Sequence, residues 1–101
     1  MTTTEPDPKT GTGNISVHAR IEGQVQGVWY RAWTVEEAQR RGLTGWVRNR
    51  KDGTVEAVFC GPVQSMIAAC HDGPSRADVT RVHEEPGLED GFEVFEKRPS
   101  A

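Results

Sequence analysis

A chain of 101 residues, 35% apolar and 27% charged, is one small domain with a thin core. No stretch approaches the roughly 20 apolar residues of a membrane helix, and the polar start, Met1 to Gly13, has no apolar signal core, so a cytoplasmic protein that ignores membranes is expected. The formal net charge of -3 sets the chain against long nucleic acid, yet residues 20–51 hold seven of the twelve Arg/Lys against three acids, which suits a small anion.

Residues 1–13, with Thr, Pro, Gly and charge but no apolar period, read as a flexible N-terminal tail, and residues 14–98 as the folded domain. Ile15, Val17, Ala19 and Ile21 alternate with Ser16, His18, Arg20 and Glu22, a strand with one buried face. Gly23 to Gly27 breaks it. From about Tyr30 to Arg41 the chain reads as a helix. Glu36 and Glu37 precede Arg40 and Arg41 at the supporting (i, i+4) spacing, and Tyr30, Trp33, Thr34 and Ala38 form its inner stripe. Gly42 is placed to stop it.

Leu43–Arg50 and Thr54–Cys60 read as two strands joined at Asp52-Gly53, a pair able to take the positive φ of a tight turn. Gly61-Pro62 opens a second helix, whose Val63, Met66, Ile67 and Cys70 fall on one face, and Gly73-Pro74 closes it. Ala77–Glu85 and Phe92–Glu96 are weaker strands. Val79 and Val82, three apart, predict a bulge or an edge position in the first, and Phe92 and Val94 alternate with Glu93 in the second.

The order β-α-β-β-α-β predicts an α+β protein, a ferredoxin-like sandwich in which an antiparallel sheet carries two helices on one face. That fold serves many functions, so the site must decide. RNA-recognition modules share the topology but need exposed aromatics on the central strands. The outward positions of the first strand are Ser16, His18 and Arg20. Cys60 and Cys70 form no C-x-x-C pair and read as buried or half-buried thiols, and His18, His71 and His83 lack metal-ligand spacing, so no metal is expected. Trp33 is expected to pack on its helix, Trp46 in the core or beside the site, and Trp29 over the loop that precedes the first helix.

Two stretches carry chemistry. In G-Q-V-Q-G-V-W-Y-R, Gly23 to Arg31, a strand feeds a short glycine-containing loop and then a helix. Such a junction aims backbone N–H groups into one concavity that binds anions, and Arg31 adds a planar fork of donors suited to phosphate. The terminal Lys-Ser/Thr of a Walker A loop is missing. On spacing alone, a turn followed by a surface arginine stands equally. In G-W-V-R-N-R-K-D-G, Gly45 to Gly53, Asn49 sits near the end of its strand. Its carboxamide can hold a water in a fixed orientation, or it can simply serve the turn.

The first stretch resembles the G-x-V-Q-G-V-x-[FY]-R signature of the acylphosphatase family. Gly45 to Glu56 resembles that family's second signature, G-[FYW]-V-x-N-x-x-D-G-x-V-E, and the resemblance covers about residues 14 to 96. It implies a ferredoxin-like hydrolase of the carboxyl–phosphate bond of acyl phosphates. It implies that Arg31 is catalytic and binds the phosphoryl group together with the backbone N–H groups of Val25, Gln26, Gly27 and Val28. Asn49 would orient the attacking water, and a phosphate oxygen of the substrate would accept its proton. The resemblance further implies no metal or organic cofactor, a small-molecule acyl phosphate as substrate, inorganic phosphate as product and competitive inhibitor, no nucleic-acid partner, and a monomer.

Overall fold

The computed structural model describes residues 15–89 and 91–101, so the tail expected over residues 1–13 lies outside the described residues. Seven elements follow in order: β1 (Ser16–Gln24), α1 (Tyr30–Arg40), β2 (Thr44–Asn49), β3 (Val55–Cys60), α2 (Gln64–Asp72), β4 (Asp78–Pro86) and β5 (Phe95–Lys97). The strands make one sheet in the order β4-β1-β3-β2-β5. No helix of the described residues is long and apolar enough to cross a membrane.

The core lies between the sheet and the helices. Ala19 and Ile21 of β1, Val47 of β2 and Val55, Ala57 and Phe59 of β3 meet Tyr30 and Ala38 of α1 and Met66, Ile67 and Cys70 of α2. All four residues of the stripe expected on the second helix are buried, and so are Tyr30, Thr34 and Ala38 of the first. Trp33 is half-buried and tilts onto Tyr30, with ring centroids 5.3 Å apart. Thr34 is accommodated because its hydroxyl donates to the Tyr30 carbonyl at 2.8 Å. Gly42 ends α1 with φ 71°. Its N–H donates to the Gln39 carbonyl at 3.0 Å and the Leu43 N–H to the Ala38 carbonyl at 2.9 Å, the paired bonds of a Schellman stop.

The β2–β3 turn differs in detail from a two-residue hairpin. Only Gly53 takes a positive φ, 91°, and the loop is Lys51–Gly53, closed by Arg50 N–H to Thr54 carbonyl at 2.9 Å and Gly53 N–H to Arg50 carbonyl at 3.1 Å. Asp52 acts through its side chain, accepting from the Thr54 N–H at 3.0 Å and the Thr54 hydroxyl at 2.6 Å. β4 is an edge strand and it is bulged. Glu22 faces Arg81 and Gly23 faces Val79, which leaves Thr80 as the extra residue that separates Val79 from Val82.

The ferredoxin-like arrangement is as expected, but the sheet is not wholly antiparallel, because β5 runs parallel to β2. β4 ends beside Val17, at the end of the sheet where β2 begins, so a short return to the far edge must enter a strand running with β2. Phe92 and Val94 are not the inward pair of that strand. Val94 is exposed, while Phe95 is buried and stacks on Phe59 with centroids 5.4 Å apart. The larger ring claims the core position and sets the register.

The sheet's other face carries charge. Glu56 is only 7% exposed there, and its carboxylate accepts from the His18 ring at 2.6 Å, Arg48 at 2.8 Å and Arg50 at 3.0 Å. Trp46 is buried on this side, outside the helix-covered core, with the guanidinium groups of Arg48 and Arg98 each 4.9 Å from its ring centroid. Burial opposes the Glu56 charge, but the three donors outweigh it and hold the carboxyl down to about 2 from 4.5. A depressed folded-state value gives stability that is present above pH 4.5 and is lost as the pH falls toward about 2. Glu56→Gln should therefore cost about 1–3 kcal/mol at pH 7 and flatten the loss between pH 4.5 and pH 2 seen in the wild type. Urea unfolding at pH 7 and pH 3 checks both, and equal acid sensitivity in the two proteins would clear Glu56 of the effect.

Candidate active site

Residues far apart in the sequence converge at the end of the sheet opposite the β4–β5 crossing. β1 and β2 are not neighbours, since β3 lies between them. The loop after β1 must pass over the end of β3 to lead into α1, which packs over β2, β3 and β5. A cleft of about 310 Å³ opens there, lined by Val25, Gly27, Trp29, Tyr30, Arg31 and Ala32 from the loop and helix, Asn49 from β2 and Lys97 from β5.

The loop backbone is set for an anion. Gly27 has φ 76° and Trp29 has φ 68°, while Val28 between them keeps a negative φ. Alternating handedness turns successive N–H groups toward one side, the geometry of a nest. Among the described residues, no backbone carbonyl accepts from the N–H groups of Gln26, Gly27 and Val28. α1 starts directly behind, with no side-chain cap on Trp29 and no acid in its first turn. Its first N–H groups and its dipole thus favour a negative charge in front of them.

Arg31, in that first turn, is half-buried. Arg20, Arg40, Arg41, Arg48 and Arg50 each lie within 4.0 Å of a carboxylate. Arg31 forms no ion pair among the described residues, so its donors remain available. On the opposite wall, Val47 points into the helix-covered core, and Asn49, two residues on, shares that face at the strand end. The Asn49 Oδ1 atom is buried and has no hydrogen-bond partner among the described residues. A buried acceptor left without a donor is costly, so such an atom points to a water or ligand that supplies one.

The expected site residues are therefore largely gathered: Val25, Gly27, Arg31 and Asn49 line one cleft. Gln26 and Val28 do not line it. Val28 packs against the core, and the Gln26 side chain turns the other way. Its Nε2 donates to the Arg50 carbonyl and the Thr54 carbonyl, each at 2.8 Å, and so ties the loop to the hairpin just beyond Asn49. This brace escapes sequence reasoning, which assigned Gln26 only a backbone role. The lining by Trp29 and Lys97 escapes it too. Trp29 is 74% exposed rather than folded over the loop. Lys97 could be placed only once β5 was known to lie beside β2.

Tyr30 closes the cleft floor. Its hydroxyl donates to the Cys70 carbonyl at 2.7 Å, and burial pushes the phenol far above its ordinary value, so it stays protonated and anchors α1 to α2. Burial likewise pushes the Cys70 thiol up to about 12, which leaves it an inert core group, while Cys60 is half-buried. Among the described residues, no Asp, Glu or His lines the cleft.

Residues 17–97 match the family model described as Acylphosphatase. The acylphosphatase of Rhodospirillum rubrum is 52% identical over 84 residues, which cover 80% of this chain and 92% of that one. The acylphosphatase of Haloarcula marismortui is 54% identical over 83 residues, covering 76% and 91%. The solved structure of an acylphosphatase from Coxiella burnetii superposes with a TM-score of 0.79 at 32% identity, covering 85% of this chain and 94% of that one. On sequence and architecture alike, the chain belongs to the acylphosphatase family of hydrolases.

Proposed function

We propose that this chain hydrolyses the carboxyl–phosphate bond of small-molecule acyl phosphates, as a cytoplasmic monomer, with inorganic phosphate as product and competitive inhibitor. The phosphoryl group sits against the N–H groups of residues 25–28 and the first turn of α1, and the Arg31 guanidinium grips its oxygens. A water donates one hydrogen bond to Asn49 Oδ1 and is held in line with the bond to be broken. The observation that carries this reading is the pairing, across one cleft, of a buried acceptor without a donor and an arginine without a carboxylate, both among the described residues.

The chemistry asks little more of the protein. Phosphoryl transfer proceeds with charge spread over the equatorial oxygens, so catalysis is largely positioning and electrostatic stabilisation. The water oxygen bonds to phosphorus, the bond from phosphorus to the acyl oxygen breaks, and the carboxylate leaves with the electron pair. A carboxylate is a stable leaving group and needs no acid. With no Asp, Glu or His on the cleft wall among the described residues, a phosphate oxygen of the substrate takes the water's proton. The products are a carboxylate and inorganic phosphate. Gln26 contributes by holding the loop to the hairpin, which fixes the distance between the nest and the water.

Hydrolysis of benzoyl phosphate by the purified protein in excess EDTA tests the reading directly. A folded wild type without activity would overturn it. Arg31→Ala should lower kcat/KM by about 10²–10³ or more and remove inhibition by phosphate. Inhibition as strong as in the wild type would mean that Arg31 is not the anion ligand. For Asn49→Ala the expected loss of about 10²-fold lies in kcat, with phosphate inhibition nearly unchanged, and the reverse pattern would count against water positioning. Gln26→Ala should lose about 1–2 kcal/mol of stability and about tenfold in kcat/KM. A melting temperature and a rate both equal to the wild type's would dispose of the brace.

A further inference from the structure

Trp29 occupies a position that suits it badly on structural grounds. Its φ of 68° and ψ of 19° put it in the left-handed region, and it is the one non-glycine residue with positive φ among the described residues. A bulky side chain is an outlier there, where Gly or Asn sits at little cost. Burial does not reward it either, because the side chain is 74% exposed. Among the described residues it pairs with no other aromatic ring and stacks with no cation. Backbone strain held at a cleft, with no return in packing, points to use by a ligand.

The cleft says which part of the ligand. Its deep lining, Val25 and Tyr30, is buried, and Arg31 and Asn49 are half-buried. With the phosphoryl group held there, the acyl group must project toward the rim. The exposed members of the lining are Gly27, Trp29 and Lys97. Gly27 has no side chain and Lys97 offers a flexible charged stem, so among the described residues Trp29 supplies the one broad apolar surface at the rim that a departing acyl group can meet.

We propose that the Trp29 indole is a platform for the acyl half of the substrate and biases this enzyme toward acyl phosphates with aromatic or extended apolar acyl groups over acetyl phosphate. The proposal rests on the hydrolytic reading above. An indole face covers a flat acyl group without a fixed hydrogen-bond pattern, so the preference follows apolar area rather than one acyl identity. It acts on the part of the substrate that leaves, while Arg31 and Asn49 act on the part that is attacked.

The test is the ratio of kcat/KM for benzoyl phosphate to that for acetyl phosphate in the wild type, Trp29→Gly, Trp29→Asn and Trp29→Phe. Gly and Asn both tolerate the left-handed backbone, so these variants remove the ring without demanding a new loop conformation, and circular dichroism and melting confirm that they fold. The ratio should fall about tenfold in both, chiefly through KM for benzoyl phosphate, and Trp29→Phe should retain most of it. An unchanged ratio in Trp29→Gly and Trp29→Asn, with both substrates still hydrolysed, overturns the platform and leaves the hydrolytic reading standing. Hydrolysis of neither substrate by the folded wild type overturns both.

Discussion

Everything in this site depends on holding a loop that leaves β1 against the end of a strand that is not β1's neighbour. The two hydrogen bonds from Gln26 Nε2 to the Arg50 and Thr54 carbonyls make that connection. They are bonds to backbone, so they fix the loop to the hairpin frame rather than to another mobile side chain. The Thr54 carbonyl also accepts from Arg50 N–H at 2.9 Å, so the brace lands on the closing pair of the hairpin itself. From the other side, the chain beyond β5 donates from Ala101 N–H to the Asn49 carbonyl at 3.0 Å. Asn49 is therefore held along both edges of its strand, while its Oδ1 has no partner among the described residues. On the proposed reading, a reaction that runs on holding a water and a phosphoryl group in contact and in line needs this rigidity more than it needs reactive side chains.

The charge pattern follows the same division of labour. The protein is acidic overall, yet it presents a cationic cleft. Glu56 absorbs Arg48 and Arg50 on the far face of the sheet, and Glu37 absorbs Arg40 and Arg41 near the end of α1. Most of the basic excess of residues 20–51 is thus spent in structural pairs, and Arg31 is left at the helix start. An arginine there opposes the helix dipole. On the proposed reading a bound phosphate would reverse that balance, because the arginine and the N–H groups would then share one anion.

Much of this could be read from the residues, for physical reasons that differ by element. The strand alternation of Val17 to Glu22 and the helical stripe of Val63, Met66, Ile67 and Cys70 are direct imprints of one-sided burial, whereas Ile15, expected on the same buried face, precedes β1 and is exposed. Arg31 and Asn49 stood out because their surroundings matched a known pair of signatures. The edge position and bulge of β4 were legible because a spacing of three cannot lie on one face of a regular strand. What stayed hidden was tertiary. The direction of β5 depends on where β4 ends. The choice of Phe95 over Phe92 and Val94 depends on Phe59 waiting across the sheet. The bonds of the Gln26 side chain depend on a hairpin some 24 residues away.

β5 is the least conspicuous strand in the sequence, and the site leans on it more than its length suggests. α1 packs over β2, β3 and β5 together, and Arg31 stands on α1. Without Phe95 against Phe59, the outer side of that helix would lie over the bare edge of β2. The Val94 carbonyl accepts from Gly45 N–H at 2.9 Å and the Val47 carbonyl accepts from Arg98 N–H at 2.8 Å, so pairing with β2 continues past both ends of β5. A parallel strand at this edge also delivers its last residue, Lys97, to the same end of the sheet as Asn49, which an antiparallel one would carry away. The direction of a three-residue strand thereby decides both how firmly Arg31 is held and which side chain stands at the cleft rim.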